Sequence, residues 1–595
     1  MASVLILTGC TAGPDRTASA GPCDIVANGT PSLKAGAGFY RSDMTAVRTR
    51  TYAVATANPL ATQAACRVLR GGGTAADAAV TAQAVLGLVE PQSSGLGGGG
   101  LLLHYDAASG RVQAYDGRET APAAATESKP GPQSSGRSIG VPGVVRMLAE
   151  VHAEHGETPW RDLLTPAMTL ADNGFEVSPR LAIAIAEHIK GLARDPAAAG
   201  YFLNPDGTSK PSGSVLTNPD YAATLSRLAA DPDAFYSGEI AAGIIDAVSD
   251  TSGRRTAGLM TAQDLADYRS VIPEPVCSGY RGKQICGMPP PSSGGIAIAQ
   301  ILGVLSSFDL RPLRPTDIDR NGGRPTVRGV HLVAEAERLA YADRDRYVAD
   351  PDFVPLPGGT PESLLARDYL AARAALISPE RTMGTAEPGS PVPEHGTSHI
   401  SVVDSRGNAV SYSATVQSAF GSFRMVGGFL LNDELTAFAA DAVGTDGTPV
   451  ANRIQPGKRP RSSMAPTLIF DESPGGGRGP LYAVVGSPGG SMIIQYVAKT
   501  LVGILDWGLD AQQAVSMVNF GASNSPTTNV GGEHPAIDIN DDGADDPLIT
   551  GLRELGHEVD LAEQSSGLSA LVRGEGGWVG GADPRREGDV MGDTE

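Results

Sequence analysis

The sequence predicts an α+β fold for this chain of 595 residues. Helical patterns dominate the part before residue 396, and the segment 330–345 is the strongest of them. Segments rich in Val and Ile recur after residue 396, beginning with a predicted hairpin over 400–416. The composition, 41% hydrophobic and 19% charged, is that of a globular protein. Separate runs of helices and strands are typical of the α+β class.

The charge of the chain excludes some classes of partner. It contains 46 Lys and Arg against 66 Asp and Glu, which gives a formal net charge of −20. An acidic chain without a basic cluster argues against binding to nucleic acid and to anionic membrane surfaces. No apolar run approaches the length of a transmembrane helix. We therefore expect no nucleic-acid partner.

The first ten residues end in a motif typical of exported lipoproteins. The run Leu-Thr-Gly-Cys that ends at Cys10 matches the bacterial lipobox, in which the cysteine is lipidated after signal cleavage. The preceding apolar core is short and lacks Lys or Arg, so a start codon placed too late and a chance match are the alternatives. We expect residues 1–45 to be an export or lipoprotein signal and linker. The protein is then extracytoplasmic, either secreted or tethered to the cell envelope by lipid at Cys10.

The other four cysteines permit disulfides in an exported protein. Cys277 and Cys286 flank a short turn with strand-like residues on both sides, so a disulfide there is plausible, and two unpaired thiols are the alternative. Cys23 and Cys66 either pair or stay free. Their connectivity does not follow from the sequence.

The helical patterns of the first part carry recognisable start signals. A helix over 59–69 begins with Pro59, a residue favoured at the first helical position. The next helix begins at Thr74, whose hydroxyl is a good N-cap. In the second part, a helix over 492–505 follows two glycines. The chain ends in strand-like residues at 569–572 and a polar tail.

Three motif matches are discounted because their contexts are wrong. The run 95–100 matches the dinucleotide fingerprint, but a helix precedes it and a strand follows, so a tight backbone crossing near a site is the better interpretation. The run 136–140 matches a hydrolase nucleophile elbow without a strand before it. The acidic run from Asp538 has Ile549 where a calcium loop needs a carboxylate. No cofactor and no metal is expected.

A candidate nucleophile stands at the junction of the two parts. A Pro- and Gly-rich approach over 387–394 leads to Gly396, and a strand pattern begins directly after Thr397. Glycine adopts strained backbone conformations that other residues resist. If the bond before Thr397 breaks, its new α-amine can serve as the base for its own hydroxyl. The junction therefore predicts a self-cleaving chain with an N-terminal Thr nucleophile.

Several motifs in the expected order extend this prediction. They lie at 90–98, 118–122, 140–143, 289–295, 340–344, 397–399, 461–467 and 486–491. With them the chain resembles the gamma-glutamyltransferase family of N-terminal nucleophile hydrolases, from about residue 57 to residue 592. The order and number of these motifs make chance an unsatisfactory explanation.

The resemblance implies a four-layer αββα sandwich made as a precursor. Self-cleavage between Gly396 and Thr397 would give a large chain, 46–396 in the catalytic domain, and a small chain, 397–595. The two chains would form the sandwich jointly as a heterodimer. The implied activity is γ-glutamyl transfer or hydrolysis on glutathione or related amides, with an amine or water as acceptor.

The resemblance also assigns site residues. Thr397 is the nucleophile, Thr415 hydrogen-bonds it, and Gly489 and Gly490 offer backbone N–H groups to the oxyanion. The substrate-binding residues implied in the same way are Arg118, Gln417, Glu434, Ser462 and Ser463.

The residue types suit this chemistry. A hydroxyl needs a base, and an α-amine, with a pKa of about 7.7–8.0 in peptides, can serve near neutral pH. Adjacent glycine N–H groups stabilise an anion, and a guanidinium with two hydroxyls suits a carboxylate. Each residue also has a purely structural alternative: a turn at Ser462, a helix start at Gly489, a surface ion pair at Arg118 and a loop cap at Glu434. His399 is expected to be structural, since the amine supplies the base.

Two departures from the family pattern concern the substrate. Members with glutamyl specificity commonly carry an acid where this chain has Ala437, which leaves Glu434 alone to bind an α-ammonium. The family asparagine two residues after the second threonine is Gln417 here. A glutaryl or cephalosporin-type amide acylase is therefore an alternative on the same fold. A non-catalytic surface protein that never cleaves itself is an alternative of another class.

Overall fold

The computed structural model describes residues 23–25, 40–126, 131–252, 255–386, 397–444, 447–475 and 477–594. The predictions for Cys10 and Gly396 lie outside these ranges. The domain boundaries at residues 45 and 396 therefore stay predictions, although the first strand begins at Val47.

Seventeen α-helices occur in the described residues. The first ten are α1 (Pro59–Arg70), α2 (Ala75–Val89), α3 (Val144–His155), α4 (Trp160–Asn173), α5 (Pro179–Glu187), α6 (Ile189–Leu192), α7 (Pro196–Phe202), α8 (Pro219–Ala230), α9 (Gly238–Ser249) and α10 (Ala262–Asp267). The others are α11 (Gly294–Leu305), α12 (Val327–Tyr347), α13 (Glu362–Leu365), α14 (Arg367–Ala374), α15 (Ile493–Leu505), α16 (Ala511–Ser516) and α17 (Pro547–Glu554).

The strands of the described residues come from both parts of the chain. Those before residue 396 are β1 (Val47–Thr56), β2 (Gly99–Asp106), β3 (Arg111–Gly117), β4 (Phe175–Glu176), β5 (Val215–Leu216), β6 (Val276–Tyr280) and β7 (Lys283–Gly287). Those after it are β8 (Ser398–Val403), β9 (Ala409–Thr415), β10 (Met425–Val426), β11 (Phe429–Leu430), β12 (Thr467–Glu472), β13 (Arg478–Gly486), β14 (Phe520–Gly521), β15 (Thr527–Gly531), β16 (Glu558–Ala562), β17 (Ser569–Gly574), β18 (Gly577–Ala582) and β19 (Asp589–Thr594).

Local sequence explains the helix boundaries. Asn58 caps α1 by accepting from the Leu60 N–H, with Pro59 at the first helical position. Thr74 and Asp77 form a reciprocal capping box at the start of α2, as the threonine predicts. The helix predicted over 330–345 begins earlier, at Val327, because the side chain of Thr326 accepts from the Gly329 N–H.

Twelve strands form one hydrogen-bonded sheet that folds back on itself. Its order is β3-β2-β9-β8-β1-β18-β17-β13-β12-β7-β6, and β19 also pairs with β1. The two halves face each other, because Ser411 Oγ donates to the Val485 carbonyl at 3.1 Å. A second contact joins the hydroxyls of Ser401 and Ser569 at 2.8 Å. Strand β1 is the turning point between the two layers.

Helices cover both outer faces of the folded sheet. One hydrophobic core joins helices such as α2, through Val85, to β8 and β9, through Val402 and Tyr412. A second core joins α11, α12 and α15 to β12 and β13, and its members include Val333 and Leu468. The order helix, sheet, sheet, helix confirms the predicted α+β class and its four-layer αββα sandwich.

Both cysteine pairs form disulfides. Cys277 and Cys286 lie directly opposite each other on β6 and β7, which confirms the hairpin expected there. Cys23 is joined to Cys66 of α1. Within the described ranges, no helix combines the length and apolar character needed to cross a bilayer.

The prediction of a polar tail at the C-terminus is wrong. Strands β18 and β19 belong to the central sheet, and β19 pairs with β1. The turn between them buries Asp583, Arg585 and Arg586. Arg585 is paired with Glu533 and Asp583, so its charge is compensated inside the protein. The polar composition of this segment therefore led to a wrong prediction, because its charged residues are buried.

Candidate active site

Thr397 is a buried residue that lies immediately before β8. Strands β8 and β9 are antiparallel, and Ser398 is paired with Ala414. Continuing this register by one residue brings Thr397 opposite Thr415, the last residue of β9. The carbonyl of Thr397 accepts a hydrogen bond from Arg586 Nη1 at 3.1 Å.

The backbone around Thr415 is unusually close-packed. Thr415 pairs with Gly99, the first residue of β2, and a Cβ atom on the neighbouring Gly98 would lie 2.0 Å from the Thr415 carbonyl oxygen. The glycine run 95–100 is thus a tight backbone crossing, as predicted. Thr415 Oγ1 accepts from the Gln417 N–H at 2.7 Å, and Gln417 has a φ of 77°. This bond shapes the turn that follows β9.

Gly489 and Gly490 follow β13 and precede α15. Strand β13 ends at Gly486, where a Cβ atom would lie 2.1–2.6 Å from the imidazole of His399. This close approach brings the end of β13 down onto β8. Gly489 has a φ of +137°, and its Cα faces the ring of Tyr496. Backbone N–H groups at such a turn before a helix are suited to an anion.

His399 is part of the packing between the two sheet halves. Its Nδ1 lies 2.8 Å from Ser413 Oγ and its Nε2 lies 3.2 Å from Ser401 Oγ. Burial lowers the pKa of His399 to about 3, so the imidazole is neutral at physiological pH. These contacts agree with the structural role expected for it.

Arg118 is buried and is not a surface ion-pair partner. Its Nη2 lies 2.5 Å from Glu434 Oε1 and donates to the Arg461 carbonyl at 3.0 Å. Its Nε donates to the Pro460 carbonyl at 3.3 Å. Because Ser462 follows Arg461 in the chain, the guanidinium lies beside the segment that carries both predicted serines.

A second buried carboxylate stands next to this ion pair. Glu119 Oε2 lies 3.8 Å from Arg118 Nη1, and the side chains of Glu119 and Glu434 are both fully buried. Burial raises the pKa of Glu119 well above its usual range, the charge of Glu434 raises it further, and Arg118 opposes them. One guanidinium thus serves two buried carboxyl groups, and Glu434 is the nearer of the two. Glu119 was not predicted as a site residue from the sequence, although it follows Arg118 in the motif 118–122.

Ser462 and Ser463 are held in a fixed loop. Ser463 Oγ accepts from Arg344 Nη2 at 2.6 Å, and Ser462 Oγ accepts from the Met464 N–H at 3.1 Å. The Ser462 carbonyl accepts from the N–H and hydroxyl of Ser293, at 2.8 and 2.7 Å. The role of Arg344 was also missed, and its presence in the motif 340–344 was the available signal.

The segment that carries Glu434 connects the residues around Thr415 with those around Arg118. The Asp433 N–H donates to the Val416 carbonyl at 3.2 Å, directly after Thr415. Both Asp433 oxygens accept from Ser418, at 2.8 and 2.7 Å, and burial raises the pKa of Asp433 to about 6. Ala437 closes the short helical turn Glu434–Ala437 and is buried without offering a charge. The predicted site residues therefore come from five segments of the chain: residue 118, the hairpin 397–417, residue 434, residues 462–463 and residues 489–490.

Three potential metal ligands also meet elsewhere in the described residues. Ligand atoms of His331, Glu335 and His557 lie within 4.8 Å of one another. His331 Nδ1 and His557 Nε2 are hydrogen-bonded to each other at 2.7 Å, and Arg338 Nη1 lies 2.7 Å from Glu335 Oε1. Since these atoms already bond to each other or to Arg338, the cluster is a hydrogen-bonded contact between α12 and the residue before β16.

The four-layer sandwich places the protein in the N-terminal nucleophile hydrolase fold class. The chain belongs to the gamma-glutamyltranspeptidase family, whose model matches residues 61–593. It is 34% identical to the glutathione hydrolase proenzyme of Bacillus subtilis strain 168, over 91% of each chain.

Other relatives carry a different name. The chain is 34% identical to the acylase ACY 1 proenzyme of Pseudomonas sp. strain SE83, over 78% of this chain and 81% of that one. The structure superposes on a cephalosporin acylase from Bacillus halodurans with a TM-score of 0.79 and 26% identity, over 94% of this chain and 99% of that chain. Family membership thus establishes an enzyme of the γ-glutamyltransferase kind.

Proposed function

We propose that the protein is a self-processing γ-glutamyl transferase or hydrolase that acts on glutathione-like amides through an acyl-enzyme on Thr397. The observation that carries this proposal is the position of Thr397 at the head of β8, in register with Thr415 and below the glycine turn after β13. Cleavage after Gly396 separates a large chain, up to residue 396, from a small chain, 397–595. The two chains remain one heterodimeric enzyme.

The proposed reaction uses the N-terminal amine of Thr397 as its base. The amine takes the hydroxyl proton, and Oγ attacks the carbonyl carbon of the substrate amide. The N–H groups of Gly489 and Gly490 stabilise the oxyanion, and Thr415 orients the nucleophile. The protonated amine then gives its proton to the leaving amine. Water or an acceptor amine attacks the resulting ester and regenerates Thr397.

The buried Arg118–Glu434 pair favours a zwitterionic substrate. An α-amino acid group can enter between the two side chains, its carboxylate taken by Arg118 with Ser462 and Ser463, and its ammonium by Glu434. The charges then remain balanced. A glutaryl group brings the carboxylate alone, so it would leave Glu434 buried without a cation, which costs several kcal/mol, roughly 3–5. Gln417 lies beside this segment as a further polar contact.

The alternative activity is that of a glutaryl or cephalosporin-type acylase. Ala437 favours it, because this position offers no carboxylate to a substrate ammonium. The relatives named as acylases favour it as well. Proton uptake by Glu434 would be the way for the site to accept a substrate without an amine.

Matched chromogenic amides separate the two activities. We expect kcat/KM to be at least about tenfold higher for the γ-glutamyl amide than for the glutaryl amide of the same amine. Ala437→Asp should raise γ-glutamyl turnover further by adding a second carboxylate, and Ala437→Asn is the control of similar size without charge. A wild-type preference for the glutaryl amide would assign the acylase activity instead.

N-terminal sequencing of the purified protein tests the processing. We expect two chains, the smaller beginning at Thr397. A single intact chain would support the alternative of a non-catalytic surface protein.

We also propose an extracytoplasmic location. The two disulfides support an oxidising compartment. They use four of the five cysteines, and the fifth is Cys10, the proposed lipidation site. Cys10→Ser should release the protein from the membrane fraction, and unchanged fractionation would exclude the lipid tether.

A further inference from the structure

Arg586 is a buried arginine whose hydrogen bonds end on backbone carbonyls. Nη1 donates to Thr397 at 3.1 Å, Nη2 to Ser565 at 2.9 Å and Nε to Ser566 at 3.1 Å. One guanidinium therefore ties the nucleophile to the loop before β17. The five N–H groups of a guanidinium stand in a rigid fork, so they fix the relative positions of their acceptors.

The same loop touches the glycine turn after β13. The Gly567 N–H donates to Ser487 Oγ at 3.4 Å. A Cβ atom on Gly567 would lie 2.6 Å from Pro488 Cγ and 2.6 Å from Arg586 Cδ. Gly567 is thus enclosed between the residue that precedes Gly489 and the side chain that bonds Thr397. Displacement of either side would move the other.

Asp583 anchors this arrangement from behind. Its Oδ2 accepts from Ser566 Oγ at 2.5 Å and from the Leu568 N–H at 3.0 Å. Its Oδ1 accepts from the Arg585 N–H at 3.0 Å. The turn that carries Arg586 is therefore bound, through Asp583, to the loop that Arg586 contacts.

The charge of Arg586 has a buried counterpart. Burial lowers the pKa of Arg586 to about 9, Arg180 lowers it as well, and the charge of Glu90 raises it. Arg586 is still protonated at neutral pH. Neither carboxylate oxygen of Glu90 accepts a hydrogen bond from any group in the described part of the chain. Glu90 therefore balances Arg586 through space and leaves all three carbonyl contacts intact.

We propose that Arg586 is a positioning residue that sets the separation between Thr397 and the oxyanion N–H groups of Gly489 and Gly490. This inference rests on the proposed role of Thr397 as the nucleophile. Arg586 does not touch the substrate in this account. It acts through the Thr397 carbonyl on one side and through Gly567 and Pro488 on the other. A displacement of about 1 Å at such a site can cost on the order of 10²-fold in rate.

The test compares Arg586→Lys and Arg586→Met with the wild type and with Arg573→Met. Arg573, in strand β17, donates its Nε to the Leu481 carbonyl at 2.7 Å, so this control also removes a guanidinium–carbonyl bond. Active sites are titrated by the burst of amine released from a chromogenic γ-glutamyl amide. The turnover per titrated site and KM are then measured, together with the half-time of self-cleavage on denaturing gels.

We expect Arg586→Met to lower kcat per titrated site by about 10²-fold and to leave KM within about threefold. Self-cleavage should slow with it, because it uses the same hydroxyl. Arg586→Lys, which keeps the charge and three donors without the fork, should recover about tenfold of the loss. Arg573→Met should keep the wild-type kcat.

Unchanged kcat per titrated site in Arg586→Lys and Arg586→Met would overturn the inference, as would an equal loss in Arg573→Met. If Arg586→Met does not fold, the Lys variant decides, because turnover is counted per titrated site. A wild-type protein without a burst and without a small chain would instead refute the proposed function. The two failures are therefore distinguishable.

Discussion

The two ends of the candidate site are built on different physical principles. The nucleophile end, around Thr397 and Thr415, consists of uncharged groups placed by close backbone contacts at glycines such as Gly98 and Gly486. The recognition end, around Arg118, depends on buried charges. Close packing determines where the groups of the nucleophile end lie, and charge balance determines which groups can be buried at the recognition end. Arg586 is an exception, since it brings a cation behind the nucleophile.

This difference separates catalysis from specificity. Changes of volume should damage the nucleophile end and leave the choice of substrate alone. Changes of charge should alter the choice of substrate and leave self-cleavage alone. Variants at the two ends test each half of that statement.

Thr397→Ala removes the nucleophile and should have the largest effect. We expect one uncleaved chain and a loss of activity of at least about 10⁴-fold. Thr397→Ser keeps a hydroxyl and is the matched control, which should still be cleaved. Two chains with activity in Thr397→Ala would break the assignment of this end.

Gly489→Ala tests the importance of space at the oxyanion turn. The new Cβ would lie 2.5 Å from the Tyr496 ring at a φ of +137°, so the turn must shift. We expect kcat to fall by about 10²–10³-fold, the effect of losing an oxyanion donor.

Gly508→Ala is the control for that variant. Gly508 has a φ of +66° and an added Cβ would meet nothing within 4 Å. It should lower Tm through backbone strain and keep kcat. Equal kinetic losses in both variants would mean that strain alone, rather than the oxyanion turn, explains the effect.

Glu434→Gln and Glu119→Gln compare the two carboxyl groups at the recognition end. Glu434 forms the closer ion pair with Arg118, at 2.5 Å, so its replacement should raise KM for the γ-glutamyl amide by about 30-fold or more, the cost of breaking a buried charge pair. Glu119 lies farther from Arg118, at 3.8 Å, and burial raises its pKa, so its replacement should change KM by less than about threefold. Kinetics on the matched amides are the measurement. A larger effect at Glu119 would mean that Glu119, rather than Glu434, is the carboxyl group that binds the substrate ammonium.

The two ends should also respond to pH with opposite signs. The folded pKa of Glu119 lies above its unfolded value, so the folded protein holds more protons and stability falls as pH rises above about 4.5. The folded pKa of His399, about 3, lies below its unfolded value of 6.5, so stability falls as pH decreases from 6.5. The His399 contribution amounts to at most about 2 kcal/mol at pH 5.

Denaturant unfolding between pH 4 and 9 tests these signs. Glu119→Gln should flatten the decline on the alkaline side, and His399→Asn should flatten the decline on the acid side. Each variant is the control for the other. If the free energy of unfolding depended on pH in the same way in both variants and the wild type, neither Glu119 nor His399 would contribute to the pH dependence as proposed.

The sequence predicted the nucleophile end better than the recognition end. The hairpin and the candidate nucleophile Thr397 follow from local signals of turn chemistry and period, whereas the roles of Gly489 and Gly490 follow only from the family resemblance. The tight crossing at Gly98 could be predicted because the glycine run 95–100 lies between a helix and a strand, an order that excludes a dinucleotide-binding loop. Local patterns were sufficient for the hairpin, because its two strands are neighbours in the chain. The contacts of Gly98 with Thr415 and of Gly486 with His399 join distant segments and could not be read from any local pattern.

The recognition end depends on partners far apart in the chain. Arg118 meets Glu434 across 316 residues, and whether a charge is buried depends on packing that no short pattern contains. The same reason hid Glu119, Arg344 and Arg586. The C-terminal segment misled most, because its polar residues balance one another inside the protein.

Strand β1 has one more consequence. It belongs to the chain before residue 396, yet its neighbours β8, β18 and β19 all come after it. Strand β2 is likewise bordered by β9, and β7 by β12. If the chain is cut before Thr397, strands of the two pieces still alternate within one hydrogen-bonded sheet. Cleavage would then break one peptide bond without producing two independently folded chains. The chains could dissociate only if the shared sheet unfolded.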